Sequence, residues 1–126
     1  MKISEVLKDK RVTVSMEVFP PKTDANFETV EKAVDEITAM KPAFISCTYG
    51  AGGGTSAYTV RIAKRIGEAG VSSMAHLTCV SSARSEVKEQ ITRIKEAGIE
   101  TSWHCAVIFR RGRTSPDRII THMRPT

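Results

Sequence analysis

The sequence FISCTYGAGGGTS, residues 44–56, decides the fold of this chain. It is an apolar run that ends in polar residues and then in a glycine-rich loop, residues 50–54. This pattern predicts a buried strand that opens onto a ligand site, because glycine lets the backbone turn tightly or approach a ligand without a Cβ in the way. We therefore expect the protein to bind its ligand at this loop.

Strand and helix signals alternate on both sides of this stretch. Residues 12–19 alternate in β-branched and apolar residues, and residues 75–80 complete a third strand within 71–80. A helix follows each strand, with Asp24 as the expected N-cap of the first helix and with Gly70 and Gly98 ending the other two. The apolar helix positions are Phe27, Val30, Ala33, Val34, Ile37 and Met40, then Thr59, Ile62, Ala63, Ile66 and Ala69, then Val87, Ile91, Ile94 and Ala97.

Three strand-helix units in a row predict an α/β fold with a parallel sheet. An open dinucleotide-binding fold needs its glycine motif after the first strand, whereas here the loop follows the second strand and Thr55 replaces the third glycine. In a (β/α)8 barrel, polar residues at successive strand ends converge on one face. Those ends supply Glu17, then Thr48 and Tyr49, then His76, so the sequence predicts the N-terminal three βα units of a TIM-type barrel.

Composition and charge limit the class of protein. The chain has 126 residues, 40% hydrophobic and 26% charged, which is typical of one soluble domain, and without a long apolar run or a signal peptide we expect a cytoplasmic location. Three cysteines without a C-x-x-C pair argue against a disulfide framework or a zinc ribbon, and Cys47 and Cys79 are expected to be small buried thiols. Residues 1–100 carry 14 Lys and Arg against 13 Asp and Glu, so the net charge of +5 belongs mainly to residues 101–126, which carry five Arg against Asp117.

Each candidate site residue has a structural and a functional interpretation, and the sequence leaves both open. Glu17 follows and precedes apolar residues, and a carboxylate there is costly to desolvate unless it is paired or functional; apolar surroundings favour its protonated form, which suits a general acid. Strand alternation also allows an outward, solvated position. His76 is either a strand residue whose hydrogen bonds are satisfied within the protein or a ligand contact. Tyr49 either covers the end of the strand or stacks on a cofactor. The glycine loop alone is weak evidence for a phosphate site.

Three segments resemble the successive signature segments of methylenetetrahydrofolate reductases. They are SMEVFPPKT at 15–23, TYGAGG at 48–53 and AHLTC at 75–79, in order and each at a strand end. The resemblance covers residues 1–100 and implies a (β/α)8 flavoprotein that passes a hydride from NADH or NADPH to FAD and then to 5,10-methylenetetrahydrofolate. The product, 5-methyltetrahydrofolate, serves one-carbon and methionine metabolism, and the full-length family member is expected to be a homo-oligomer.

The resemblance also implies a role for each matching residue. Glu17 matches the acid that protonates the folate nitrogen, so that the bridging ring opens to an iminium. Thr48 matches a position that borders the nicotinamide and the flavin. Tyr49, Ala51 and His76 match flavin contacts, and no metal, nucleic acid or membrane is implied.

After Glu100 the chain departs from the family, which continues into a fourth strand ending in Leu-Arg-Gly-Asp. TSWHCAVIFR, residues 101–110, can be encoded by ACA TCA TGG CAC TGC GCG GTG ATA TTC CG and one further base. One A placed in front regroups these bases to encode NIMALRGDIP, which contains the missing motif. We therefore expect residues 101–126 to be the out-of-frame product of a one-base deletion or a sequencing error.

Two alternatives to a working reductase follow from this tail. One is a binding module that uses the tail arginines on nucleic acid, although the tail has no aromatic residues besides Trp103 and Phe109 to interleave with them. The other is an inactive fragment, because three of eight barrel units leave the sheet edge open and the core incomplete. An out-of-frame tail also means that His104, Cys105 and His122 form no metal site.

Overall fold

A computed structural model describes residues 2–8, 12–49, 56–79 and 83–105 of the chain. Strands and helices alternate along them as the sequence predicts. The strands are β1 (Ser15–Val18), β2 (Phe44–Cys47), β3 (Ser72–Thr78) and β4 (Thr101–Cys105), and the helices are α1 (Ile3–Val6), α2 (Phe27–Ala39), α3 (Ser56–Glu68) and α4 (Arg84–Glu96), with a 3-10 turn at Asp24–Asn26. Within these described ranges no helix has the length and apolar character to cross a membrane.

The four strands form one parallel sheet in the order β1-β2-β3-β4. This order follows the chain without a reversal, as in a barrel, whereas a doubly wound sheet reverses its order at a switch point. The predicted α/β class and its parallel sheet are confirmed, and the sequential order is that of a partial TIM-type barrel.

One face of the sheet packs against the helices and forms the core. Val18, Ile45 and Ala75 point to this face and are 7%, 0% and 0% exposed. They belong to one apolar cluster with residues of all three long helices, namely Val34 of α2, Ile62, Ala63 and Ile66 of α3 and Ile94 of α4. The three long helices therefore pack on this side of the sheet, and we call the opposite face the open face. It carries Ser15, Glu17, Phe44, Ser46, Thr48, Ser72, Met74, His76, Thr78, Thr101 and Trp103.

The C-terminal ends of α3 and α4 agree with the sequence, whereas the predicted apolar stripes of α2 and α3 need corrections. Gly70 and Gly98 adopt positive φ angles of 82° and 73° just after α3 and α4, as predicted, and Lys41 takes the same role after α2 with a φ of 51°. Ala33, Met40 and Ala69 were expected in the core, but all three are exposed, Met40 by 64%. Thr38 is buried instead, since its hydroxyl donates to the Asp35 carbonyl at 2.9 Å and needs no water.

A fourth strand, which the sequence pattern does not indicate, pairs with β3. Its register aligns His76 with Trp103 and Leu77 with His104. Parallel pairing uses backbone groups and therefore tolerates many side chains, and the residues Thr101 and Trp103 are of types that favour strands. The presence of β4 is thus compatible with a sequence that does not follow the family motif.

Candidate active site

The carboxyl ends of β1, β2 and β3 bring two predicted site residues onto the open face. The register aligns Val18 with Cys47 and Cys47 with Ala75, all three on the buried face. Because side chains alternate along a strand, Glu17 and His76 point the other way. Two residues that the sequence places in separate motifs therefore share one surface.

Glu17 and His76 approach each other across that surface. The Oε1 atom of Glu17 lies 3.9 Å from Nε2 of His76, and their side chains are 47% and 28% exposed. Of the two readings for Glu17, the outward and partly solvated position is the observed one, so its immediate surroundings are not the apolar ones expected of a desolvated acid. Both groups remain accessible to a bound molecule, and they attract each other when both are charged.

Thr48 continues β2 past its last regular residue and is fixed by its backbone. Its N–H donates to the Val18 carbonyl at 3.0 Å, and its carbonyl accepts a hydrogen bond from the Thr59 hydroxyl of α3 at 2.9 Å. Thr59 is 1% exposed, and the sequence indicated it only as a member of the core stripe of α3. A hydroxyl in an otherwise apolar stripe was the signal that this residue has a polar partner.

Tyr49 is the last described residue before the glycine-rich loop and is half-buried. Ala51 and the loop glycines lie outside the described residues, so the predicted flavin contact of Ala51 and the predicted phosphate role of the loop are not tested. Of the predicted site residues, the structure therefore describes Glu17, Thr48, Tyr49 and His76.

Cys47 lies on the buried face of β2 and its thiol is unreactive. Burial in the core, with a smaller contribution from the charge of Glu17, raises the pKa of its thiol to about 12. The thiol therefore stays protonated at neutral pH and acts as a small apolar group. The prediction of a buried thiol is confirmed for Cys47, whereas Cys79 is only partly buried.

The connection from β1 to α2 is held by α3. The hydroxyl of Tyr58 donates to the carboxylate of Asp24, which raises the pKa of Tyr58. Asp24 was expected to cap α2, but it begins the 3-10 turn and Asn26 is the N-cap residue. The Tyr58 ring also lies 5.4 Å from that of Phe27, over which the Arg61 guanidinium sits at 4.0 Å. This clamp, formed by Asp24, Phe27, Tyr58 and Arg61, fixes the segment that follows Glu17.

Ion pairs extend the contact between α2 and α3. Arg65 donates two hydrogen bonds to the Asp35 carboxylate, at 2.8 and 2.7 Å, and this guanidinium holds the pKa of Asp35 below its usual range. Arg61 and Arg65 both contact Glu31, at 3.2 and 3.4 Å. The two helices that flank β2 are therefore tied together on their outer surface as well as through the core.

The strand ends offer a carboxyl, an imidazole and a hydroxyl on the open face. Groups of this kind hydrogen-bond a polar ligand. They suit the polar edge of a flavin, which Thr48 and His76 would hold together with Tyr49, the residue that follows Thr48. In the described part of the chain no group of three His, Cys, Asp or Glu side chains is placed to hold a metal ion.

The fold and the site define a segment of a (β/α)8 barrel with accessible polar groups at the carboxyl ends of its strands. The chain belongs to the methylenetetrahydrofolate reductase family of oxidoreductases, because the profile of that family matches residues 2–102.

Individual relatives agree with the family match. The chain is similar to a 5,10-methylenetetrahydrofolate reductase of Pectobacterium carotovorum subsp. carotovorum, with 39% identity over 90 residues that cover 71% of this chain and 30% of that protein. It is 37% identical over 100 residues to methylenetetrahydrofolate reductase (NADH) 1 of Zea mays, which covers 79% of this chain and 17% of the maize protein. A reductase of Buchnera aphidicola subsp. Schizaphis graminum is 39% identical over 101 residues. The chain spans 33% or less of the length of these relatives.

Proposed function

We propose that Glu17, Thr48, Tyr49 and His76 form part of a site that reduces 5,10-methylenetetrahydrofolate to 5-methyltetrahydrofolate, with FAD as cofactor and NADH or NADPH as hydride donor. The observation that carries the proposal is the approach of Glu17 and His76 on an accessible face at the strand ends. The family match supports the folate reaction, and the name of the maize relative, which specifies NADH, supports a nicotinamide donor.

In the proposed reaction Glu17 is the proton donor to the folate. Its O–H bond breaks as an N–H bond forms on a nitrogen of the bridging ring. The bond from that nitrogen to the bridging carbon then breaks, and the ring opens to an iminium on the other nitrogen that can accept a hydride. The half-exposed carboxyl can reach a substrate that lies on the open face without any rearrangement of β1. The flavin, when bound, supplies the hydride, while Thr48, Tyr49 and His76 bind and orient it. By resemblance Ala51 shares that role.

We propose further that the fourth strand end of this site, which carries the Leu-Arg-Gly-Asp motif in the family, is encoded in another reading frame. The family match ends at residue 102, two residues after the departure point at Glu100, which supports a frame change there. The concentration of arginine after that point supports it independently. A cytoplasmic location, a homo-oligomeric assembly and the absence of nucleic-acid or membrane partners remain predictions.

The visible spectrum tests the proposed function. We expect the product of the frame-restored gene, with one A inserted before codon 101, to be yellow with bound FAD. Its colour should bleach with NADH or NADPH and return when 5,10-methylenetetrahydrofolate is added. The 126-residue chain, purified in parallel, should hold little or no flavin because the Leu-Arg-Gly-Asp side of the site is missing. A restored product that stays colourless after reconstitution with FAD would overturn the proposal.

A further inference from the structure

The contact between Glu17 and His76 stands out because of what else lies on the open face. On β1 that face carries Ser15 besides Glu17, and on β2 it carries Phe44, Ser46 and Thr48. On β3 it carries Ser72, Met74, His76 and Thr78. Among these described residues His76 is therefore the one side chain that can become a cation, and Glu17 is the one carboxylate.

The other described histidine, His104, differs in its surroundings. It aligns with Leu77 and so lies on the opposite face of β4, where its Nε2 is 3.4 Å from the Ser102 hydroxyl. It has no carboxylate partner among the interactions of the described residues. The chain thus contains a paired histidine and an unpaired one on adjacent strands, which makes His104 an internal reference for His76.

We propose that His76 is a positioning residue for Glu17. While Glu17 carries its proton, the imidazole keeps the carboxyl group in place on the open face; once that proton has passed to a substrate, the protonated imidazole stabilises the carboxylate that remains. The proton leaves Glu17 as its O–H bond breaks, the substrate gains an N–H bond, and water later returns a proton to the carboxylate. The catalytic part of this role rests on the proposed function, whereas the ion pair itself does not.

The separation and exposure set the size of the expected effect. A pair at 3.9 Å whose side chains are 47% and 28% exposed is weakened by solvent but not abolished. We expect the loss of an exposed ion pair of this kind to change the measured reactivity of either partner by about two-fold to five-fold. That change is measurable residue by residue.

Carbethoxylation of the full 126-residue chain tests the pair. Diethyl pyrocarbonate reacts with neutral imidazole, so at about pH 6.5 the reaction rate reports how far the ring is protonated. Peptide mass spectrometry separates His76 from His104. We expect Glu17→Gln to raise the rate at His76 by about two-fold to five-fold and to leave the rate at His104 unchanged, whereas Glu17→Asp, which keeps the charge, should give a smaller rise.

A reciprocal measurement labels Glu17. Carbodiimide activation consumes the protonated carboxyl, and linkage requires that the effect of one partner on the other be mutual. We expect His76→Gln to raise the labelling of Glu17 by about two-fold, without changing that of the exposed Glu36 on α2. Circular dichroism of each variant checks that the secondary structure is kept.

Unchanged rates at both His76 and Glu17 would overturn the pairing, and so would an equal rise at His76 and His104, because it would indicate general loosening. The readout is labelling rather than turnover. A failed pair therefore leaves the folate-side role of Glu17 standing, and a failed folate assay leaves the pair standing.

Discussion

Glu17→Gln abolishes folate reduction in the frame-restored protein while reduction of the flavin by NADH or NADPH survives; this is the largest effect that we expect. Glutamine keeps the shape and polarity of the side chain but has no proton of suitable acidity to give to the folate nitrogen. Loss of a general acid lowers a rate by about 10²-fold to 10⁴-fold. Stopped-flow measurement of the two half-reactions separates flavin reduction from flavin reoxidation by 5,10-methylenetetrahydrofolate.

The control for this experiment is Glu36→Gln, which makes the same chemical change at an exposed position of α2. We expect both half-reactions of this control to match those of the parent protein. If Glu17→Gln slowed flavin reduction as much as folate reduction, the assignment of Glu17 as the folate-side acid would be wrong.

The second large effect is on folding and concerns the centre of the sheet. Ile45 is fully buried on β2, between β1 and β3, and packs in the cluster that joins the sheet to the helices. Ile45→Ala removes buried methyl groups and leaves a cavity, so we expect the free energy of unfolding to fall by about 2 to 5 kcal/mol. Urea unfolding followed by circular dichroism measures the change.

Val14→Ala is the matched truncation at an exposed site, since Val14 is 57% exposed. We expect it to change the free energy of unfolding by less than about 0.5 kcal/mol. Equal losses for the two variants, or a parent chain without a cooperative transition, would contradict the packed core described here.

The sequence predicted the alternating elements because their periodicity is local. A buried face can be predicted from the apolar stripe of Ile62, Ala63 and Ile66, and another from the apolar run at 44–48. Met40 was assigned wrongly because helical spacing alone does not tell where the stripe leaves the sheet. The burial of Thr38 was not predicted, because the spacing gives no account of a hydroxyl that is satisfied on its own helix.

The sequence names the candidate site residues one by one, but it does not predict how they are arranged. Glu17 and His76 were both named from their motifs, yet their approach depends on the strand register, which no single strand encodes. The contact of Tyr58 with Asp24 was missed because it joins α3 to the β1 to α2 connection, and an aspartate before a helix is more simply read as a cap.

The open face shows which part of the barrel is affected where the sequence departs from the family pattern, after Glu100. In a barrel the interior is closed by strands that follow in the chain, and β4 here pairs with β3 through its backbone while carrying Trp103, 61% exposed, on the open face. The restored frame would instead supply the Leu-Arg-Gly-Asp motif beyond this strand. The account as a whole therefore rests on the reading frame at one point.

Resequencing the gene across codons 99 to 103 tests that point most directly. We predict one additional base directly after codon 100, so that the frame continues as NIMALRGDIP and the family pattern extends past residue 102. A verified sequence that encodes Thr101, Ser102 and Trp103 in the same frame as Glu100 would contradict the account.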